Sequence, residues 1–509
     1  MQCDKFEVSL YSKSSDQQCL PMAETKEDAA SQVPVEERRR QRCHWWDFIT
    51  VEPVMFLYMM AFMLTSVIEQ SFFVDKACRV NLNFSDTICS NLTNKQYMDY
   101  NKQVQVIVSD FHQYNNVATH AIPLVLALFL GAWSDRRGRK LPLLLGLVGK
   151  LYYSVMIIVN ALQDTWSLEV VLLSASLPSS LTGADLAIFA ALFTYVADVT
   201  TVQDRTFRVT MLDITYLLTM PTGVALGKYL WSSVAGYSYP IMFGINSSLL
   251  FVAILYALWQ LKWRTTESQQ PIPRNYFGDF FDCDHVVQSV KVVVRKRPGN
   301  RRVYLVILFI AMALYTFQRD EKPMSYLYTQ LQFQWTAETY SDYRTFQNAS
   351  YVVGTILGIH VMGKLMKMRD TTMVMVGSIA HAVTRVVFAV AQVPWLFYVG
   401  GTIVALGPIV APVLRSMTSK VVPLSERGKV FAILAAADNA VPLFSGILYT
   451  QVYNATISTA PATIFWVTFA SQMCVFFLIL CIHMSLHGGS LEDTFVHPLS
   501  YSNDPRDSG

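Results

Sequence analysis

Long apolar runs separated by short charged connections dominate the chain. A helix needs about 19 predominantly apolar residues to cross a bilayer. Segments of this kind, which we number as spans one to twelve, lie at 50–74, 114–133, 141–162, 168–197, 207–230, 237–261, 303–326, 345–366, 371–392, 394–419, 428–450 and 462–485. The pattern therefore predicts an all-α membrane protein with twelve transmembrane helices.

The connections divide the spans into two groups of six. A central loop at 262–301 separates a six-helix bundle at 50–261 from a second bundle at 302–485, with polar tails at 1–49 and 486–509. The two groups carry similar charged corners after their second and fourth spans. Such repetition predicts a parallel duplication around a central pathway. Because the first tail lacks an apolar run, span one is expected to act as an uncleaved insertion signal.

The distribution of charge predicts the orientation. Lys and Arg cluster before span one and after spans two, four, six, eight and ten, which predicts that these connections and both termini are cytoplasmic. Three glycosylation sequons, at Asn83, Asn91 and Asn454, fall on the opposite, outer side. Cys78 and Cys89 share the first outer loop, where an oxidising compartment favours a disulfide over two free thiols.

Composition limits the classes of function. Hydrophobic residues make up 52% of the chain and charged residues 15%, against about 25% charged in soluble proteins, so much of the surface is expected to face lipid. A net charge of +3 does not indicate nucleic-acid binding. We find no nucleotide-binding, hydrolase or metal-ligand motif. The sequence thus predicts no enzyme activity, no cofactor and no metal, and a solute gradient would have to drive any transport.

A compact charged motif, GAWSDRRGRK at 131–140, follows span two. It resembles the signature loop of the major facilitator superfamily. Gly131 would allow close helix approach, Gly138 a tight turn, and Asp135 would pair with Arg139 or another base, or cap the next helix. Such a cluster can latch the two halves in one state and release them in another. The alternative is a basic corner that serves only topology.

Further stretches narrow the resemblance. VEPVMFLYMMAF in span one, YVADV at the end of span four, DRTFRVTMLD in span five and APVLRSMTSKVV in span ten resemble the solute carrier family of the proton-coupled folate transporter and its relatives. The likeness runs roughly from residue 50 to 485. It implies proton-driven symport of an organic anion, which could be folate- or pterin-like, a muropeptide or a cyclic dinucleotide.

The resemblance also implies roles for single residues. The carboxylate tied to proton coupling in the folate carrier corresponds here to Asp213, and the arginine tied to proton and substrate handling corresponds to Arg415. The Gly-Asp pair of span four corresponds to Ala184-Asp185. On a gap-free reading, the functional histidine of span seven is replaced by Tyr315, a departure from the folate carrier.

Ionisable residues inside apolar spans point to a similar set, because a charge at bilayer depth is costly unless it is paired or hydrated. These residues are Lys150, Asp185, Asp213, His381, Arg385, Arg415 and Asp438. Several readings stay open for them. Lys150 would either pair with Asp185 or contact substrate, Asp213 would form a salt bridge or bind the proton, and Arg415 would anchor a gate or bind substrate. His381 would be a packing or a functional residue.

The sequence therefore predicts a secondary active transporter that works by alternating access. Its expected partners are a small organic anion, protons and the lipid bilayer. We expect it in the plasma membrane, with the lysosomal membrane as the alternative. A transporter-like receptor that binds a ligand without net flux is the second hypothesis, and a channel is the third.

Overall fold

The computed structural model describes residues 49–200, 204–266, 269–271, 279–281, 301–422 and 427–486. Within these ranges the chain is helical and contains no β-strand, which confirms the predicted all-α class. The predicted N-terminal tail up to residue 48, most of the central loop and nearly all of the C-terminal tail lie outside the described residues.

The first group of spans is built from long helices with short interruptions. The helices are Glu52–Thr65, Ile68–Lys76, Asp86–Cys89, Met98–Arg137, Lys140–Leu162, Leu168–Val171, Leu177–Ser180, Ala184–Val199, Arg205–Ser233 and Tyr239–Gln260. Wide π-helical turns at Ala77–Asn81 and Leu172–Ser176, and a 3₁₀ turn at Lys95–Tyr97, extend or link them. Each predicted span from one to six therefore corresponds to helix.

The second group repeats this construction. Its helices are Arg301–Thr316, Glu321–Phe333, Ala337–Gly358, Asp370–Val390, Trp395–Ile403, Val410–Val421, Arg427–Thr456 and Thr463–Ser485. A π-helical segment, Ile359–Leu365, prolongs span eight, and 3₁₀ turns at Phe317–Arg319 and Val404–Ile409 interrupt spans seven and ten. The breaks in spans seven and ten fall near mid-span.

The number of crossings agrees with the prediction except at span eight. Among the described residues, nine helices are long and apolar enough to cross a membrane, and eleven if two bent pairs each count as one span. The remaining helix, Ala337–Gly358, carries Glu338, Asp342 and Arg344 in its first half. These charges lower the mean hydropathy of the helix, so it is not counted among the crossings, although it overlaps the predicted span eight.

The helices that contain spans one and two are longer than the predicted spans. Helix continues past residue 74 to Asn81, and span two begins at Met98 rather than 114. The extra turns contain polar residues, which a hydropathy window rejects although they continue the helix. A disulfide joins Cys78 to Cys89 beside these turns, with a Cα–Cα distance of 5.8 Å. We call this end of the bundle the disulfide end, and the opposite end, which carries GAWSDRRGRK, the basic end.

Hydrogen bonds between the two halves gather toward the disulfide end. Gln105 of span two donates to the carbonyl of Leu327 at 2.9 Å and accepts from the Tyr453 hydroxyl at 2.7 Å. In the same region Lys228 binds Asp342 at 2.7 Å. These contacts hold the two six-helix groups together between mid-span and this end.

Candidate transport site

A cavity of about 300 Å³ lies within the first half at mid-depth. Side chains from spans one to four and span six line most of it, and the second half contributes Pro323 and Asn439. Carboxylate, ammonium, phenol and imidazole groups all reach its wall. Because both halves meet here, a solute in this cavity would contact each of them.

Lys150 and Asp185 form an ion pair in the cavity wall. The Lys150 Nζ lies 2.7 Å from Asp185 Oδ1, and the Tyr58 hydroxyl donates to the same carboxylate. The Asp185 side chain is 45% exposed, so solvent in the cavity reaches it. The structure thus brings together two residues that the sequence singled out, and adds Tyr58, which the sequence analysis did not identify.

A break in span four positions Asp185. The helix Leu177–Ser180 ends, Gly183 takes a positive φ of 80°, and a new helix begins at Ala184. Asp185 therefore lies in the first turn of a helix whose N-terminus is near mid-membrane. The partial positive charge of that terminus favours a negative group at this point, whether the Asp185 carboxylate or a bound anion.

Glu69 supplies a second carboxylate to the cavity. The Tyr153 hydroxyl donates to Glu69 Oε1 at 2.6 Å. The Lys150 Nζ also lies 5.8 Å from the ring centroids of Phe62 and Tyr153. The sequence analysis missed Glu69, although an acid inside the apolar run of span one is a signal of the same kind as Asp185.

Arg385, another of the ionisable residues that the sequence singled out, does not line this cavity. Its Nε binds Glu321 Oε2 at 2.9 Å, and both side chains are 4% exposed. Glu321 also accepts a hydrogen bond from Thr468. In the sequence Glu321 belongs to the charged group RDEK (319–322) near the predicted end of span seven, whereas span seven runs on to Phe333 in the structure.

Tyr315 likewise lies away from the cavity. It packs edge-on against His381, with 5.5 Å between the ring centroids, and its hydroxyl points at the Gly407 carbonyl at 3.5 Å. Both residues are buried in the second half. In this conformation His381 and Tyr315 pack against one another.

Arg415 and Asp438 face one another, with 3.8 Å between Nη2 and Oδ2. The Arg415 side chain is half exposed, whereas Asp438 is buried. Asp213 is exposed and lies within electrostatic range of Arg415. None of these three residues lines the 300 Å³ cavity, although Asn439, the neighbour of Asp438, does. They form a second cluster beside it.

The side chains of the signature motif form a compact charged cluster at the basic end of the first half. Arg139 is buried, and it binds Asp198 at 2.9 Å, the Ser134 hydroxyl at 2.6 Å and the Asp135 carboxylate. Asp198 comes from the YVADV stretch at the end of span four. Asp135 therefore pairs with Arg139, one of its two predicted partners, and makes no side-chain cap on the following helix.

A segment of the central loop covers this charged cluster. The Arg137 guanidinium holds the Asp279 carboxylate at 2.6 Å, and this hydrogen bond lowers the pKa of Asp279. Phe280 packs against Trp133 with 5.8 Å between ring centroids. The connection between the halves is thus anchored to span two.

The corresponding corner of the second half carries an ion pair of reversed polarity. Asp370, which ends the GKLMKMRD counterpart of the motif, binds Lys420 of span ten at 3.0 Å. In the first half the base (Arg139) follows span two and the acid (Asp198) ends span four. Both duplicated corners thus contain an ion pair, but the acid and the base exchange positions between them.

The two motif glycines differ in what they require. Gly138 has a φ of 114°, and a Cβ there would lie 2.3 Å from the Trp263 carbonyl oxygen. At Gly131 a Cβ would meet nothing within 4 Å, so the predicted close helix approach is wrong. Gly131 is a helical residue with open space beside it.

We expect Gly138→Ala to lower the free energy of unfolding by about 1–3 kcal/mol, because alanine strains a left-handed backbone and meets Trp263. Thermal unfolding of the purified protein would measure this change. Gly131→Ala is the matched control, and we expect it to be neutral or mildly stabilising. Equal midpoints for the two variants would contradict the role assigned to Gly138.

The sequons also fall in different surroundings. Asn83 and Asn91 are exposed at the disulfide end. Asn454 donates to Asp110 at 2.7 Å across the two halves, and its Oδ1 is buried. A glycan on Asn454 would break that contact, so Asn83 and Asn91 are the sterically open acceptors.

Comparison with known proteins agrees with this architecture. The sequence profile of the Major Facilitator Superfamily matches residues 54–346. A probable peptidoglycan muropeptide transporter, SLC46, from Drosophila melanogaster is 24% identical, and 81% of each chain is aligned. The rat proton-coupled folate transporter is 26% identical over 80% of this chain and 86% of its own.

A chicken relative, the lysosomal proton-coupled steroid conjugate and bile acid symporter SLC46A3, is 27% identical over 81% of this chain and 88% of its own. Among solved structures, the human organic anion transporter MFSD10 superposes with a TM-score of 0.59 at 15% identity, covering 84% of this chain and 98% of its own. A D-xylose-proton symporter gives 0.59 at 14% identity, over 85% and 97%. These relatives confirm the resemblance inferred from the motifs. The chain therefore belongs to the major facilitator superfamily of membrane transporters.

Proposed function

We propose that the chain is a proton-coupled symporter of an organic anion. The observation that supports this most strongly is the ion pair between Lys150 and Asp185 in a cavity at mid-depth. An acid and a base that neutralise one another inside a membrane protein can be separated if each receives a replacement partner. A proton is the replacement partner for Asp185, and an anion is that for Lys150.

The coupling follows from this exchange. When a carboxylate or phosphate of the substrate binds Lys150, Asp185 loses its counter-charge, and protonation of its carboxyl oxygen removes the cost of an unpaired anion at membrane depth. When the substrate leaves, Lys150 returns to Asp185 and displaces the proton. Substrate and proton therefore bind together and leave together.

Alternating access would carry the loaded cavity between the two sides. Contacts such as Gln105 with Leu327 and Lys228 with Asp342 close the disulfide end in the conformation described. Asp213, Arg415 and Asp438 then lie on the route toward the basic end. In this scheme they guide the anion out, and their charges attract each other when the basic end closes.

The cavity favours a compact anion with a flat ring. Its volume of about 300 Å³ is at the lower limit for small-molecule sites, which range from about 300 to 1,000 Å³. The rings of Tyr58, Phe62 and Tyr153 line it and offer surfaces for stacking. A pterin or a single carboxylated ring fits this description better than a muropeptide or a cyclic dinucleotide.

The orientation follows from the disulfide end. A disulfide and two exposed sequons favour a non-cytoplasmic location for that end. We propose the plasma membrane or the lysosomal membrane, with both termini in the cytoplasm. In either membrane, protons that enter from an acidic compartment would drive the substrate into the cytoplasm.

Uptake into proteoliposomes tests the proposal. Radiolabelled folate, pterin carboxylate and bile-acid conjugates would be offered with and without an inward acid gradient. We expect the gradient to raise uptake of at least one anion severalfold, and Lys150→Gln to lower that uptake about tenfold or more, since one charge-assisted contact is lost. Lys95→Gln, in an exposed loop, is the matched control.

Two results would contradict the proposal. Uptake that does not respond to the gradient for any transported anion would exclude proton coupling. Saturable binding without net flux would identify a receptor instead.

A further inference from the structure

A second, much smaller cavity lies in the second half of the molecule. Its volume is about 20 Å³, enough for one or two water-sized particles. Side chains of spans seven, eight and nine and Phe397 of span ten line it, and none of them lines the 300 Å³ cavity. It is therefore distinct from the proposed transport site.

The wall of this small cavity carries an excess of positive charge. Lys322, Arg344 and Arg385 line it, whereas Glu321 is the one carboxylate in its lining. The two guanidiniums alone outnumber the single carboxylate, so the lining carries at least one positive charge in excess. The pair of Arg385 and Glu321 is buried, Arg344 is half-buried and Lys322 is exposed. The uncompensated charge nearest the interior is therefore that of Arg344, which a counter-ion would stabilise.

The neighbouring carboxylates Asp320, Asp342 and Glu338 do not line this cavity. Asp320 accepts hydrogen bonds from Ser445 and, at 3.5 Å, from Asn116. Asp342 binds Lys228 at 2.7 Å. Glu338 accepts a hydrogen bond from the Tyr237 hydroxyl at 2.9 Å, so each of these acids has a partner outside the cavity.

An unpartnered donor faces the same space. Arg385 is 3% exposed, and while its Nε binds Glu321, its Nη1 is buried with no hydrogen-bond partner among the described residues. Buried donors without partners are rare in folded proteins, and each one suggests a missing acceptor. A bound anion would accept this hydrogen bond.

Polar groups around the cavity complete a set of donors. Ser325 and the Tyr351 hydroxyl line it beside Arg344, whose Nη1 donates to Gln347 at 2.8 Å. Guanidinium and hydroxyl donors that converge on one small space suit a monovalent inorganic anion. The volume leaves no room for the ring of an organic substrate.

We propose that the second half binds a small monovalent inorganic anion, such as chloride, in the cavity between Lys322, Arg344 and Arg385. The anion balances the positive excess and stabilises the junction of spans seven, eight and nine. A carboxylate of an organic anion is the other source of the same charge. It would have to enter without the rest of its molecule.

Thermal unfolding of the detergent-purified full chain tests this site without any organic substrate or pH gradient, so the result does not depend on the proposed transport activity. Sodium chloride would replace sodium gluconate at constant ionic strength. We expect the unfolding midpoint to rise and saturate with chloride, as binding linkage requires. Arg344→Gln should weaken the apparent chloride affinity about tenfold or more.

Controls separate the site from general effects of salt and charge. Lys364→Gln removes one exposed positive charge from the same span and should leave the chloride response intact. Ser325→Ala removes a donor without changing charge, and decides the question if Arg344→Gln does not fold. An unfolding midpoint that is the same in chloride and gluconate would overturn the proposal. Unchanged chloride affinity in Arg344→Gln would overturn it too. If Arg344→Gln does not fold, unchanged affinity in Ser325→Ala has the same meaning. A rise with sodium acetate but not chloride would assign the cavity to carboxylates and overturn it as well.

Discussion

Replacing Glu321 with Gln is expected to lower the free energy of unfolding by about 3–5 kcal/mol, the range for removing one partner of a buried ion pair. Arg385 would keep its charge at 3% exposure without a carboxylate to balance it. Thr468, which donates to Glu321, would lose an ionised acceptor. Chemical or thermal unfolding of the purified protein would measure the loss.

A double variant distinguishes a lost pair from a general defect. Glu321→Gln combined with Arg385→Met removes both charges, and we expect it to recover much of the stability, because replacing a whole buried pair is often neutral. Glu169→Gln, at an exposed carboxylate, should change stability by less than about 0.5 kcal/mol. A double variant no more stable than Glu321→Gln would contradict this interpretation.

Asp185→Asn is expected to separate anion movement from proton movement. The amide has nearly the same shape but cannot take up a proton, so an acid gradient should no longer drive accumulation, and gradient-driven uptake should fall by about tenfold or more. Lys150 would still be present to bind the anion. Exchange of labelled for unlabelled substrate, which needs no net proton movement, should therefore persist.

Counterflow and gradient-driven uptake in the same proteoliposomes would measure the two activities. Asp99→Asn, at a carboxylate that is 93% exposed, is the matched control and should keep both activities. Loss of counterflow together with uptake would show that Asp185 holds the fold of the site. Retention of the full gradient response would assign the proton to another group, for which Glu69 is the nearest candidate.

Much of the fold could be predicted from hydropathy, because lipid-facing helices must be apolar over a fixed length. That constraint fails where a helix runs beyond the bilayer or faces other helices. The first turns of Met98–Arg137 and the polar half of Ala337–Gly358 are of these two kinds. Both are helical because their backbone groups bond within the helix, whatever the side chains prefer.

The candidate site was predictable only as a set of residues. Rarity of charge in apolar spans pointed to Lys150, Asp185 and Arg385 alike. Which of them share a cavity depends on helix rotation and on the break at Gly183, neither of which a hydropathy pattern records. The sequence therefore could not distinguish Arg385 from Lys150. In the structure Arg385 pairs with Glu321 in the second half, away from Lys150.

The polarity of span eight has a consequence for biosynthesis. Glu338, Asp342 and Arg344 lie within its first half, and a translocon releases a helix to lipid according to how well its side chains dissolve there. Span eight therefore depends on earlier helices to shelter these charges while the ribosome completes the chain. The second half is expected to enter the membrane as a cooperative group of helices rather than one helix at a time.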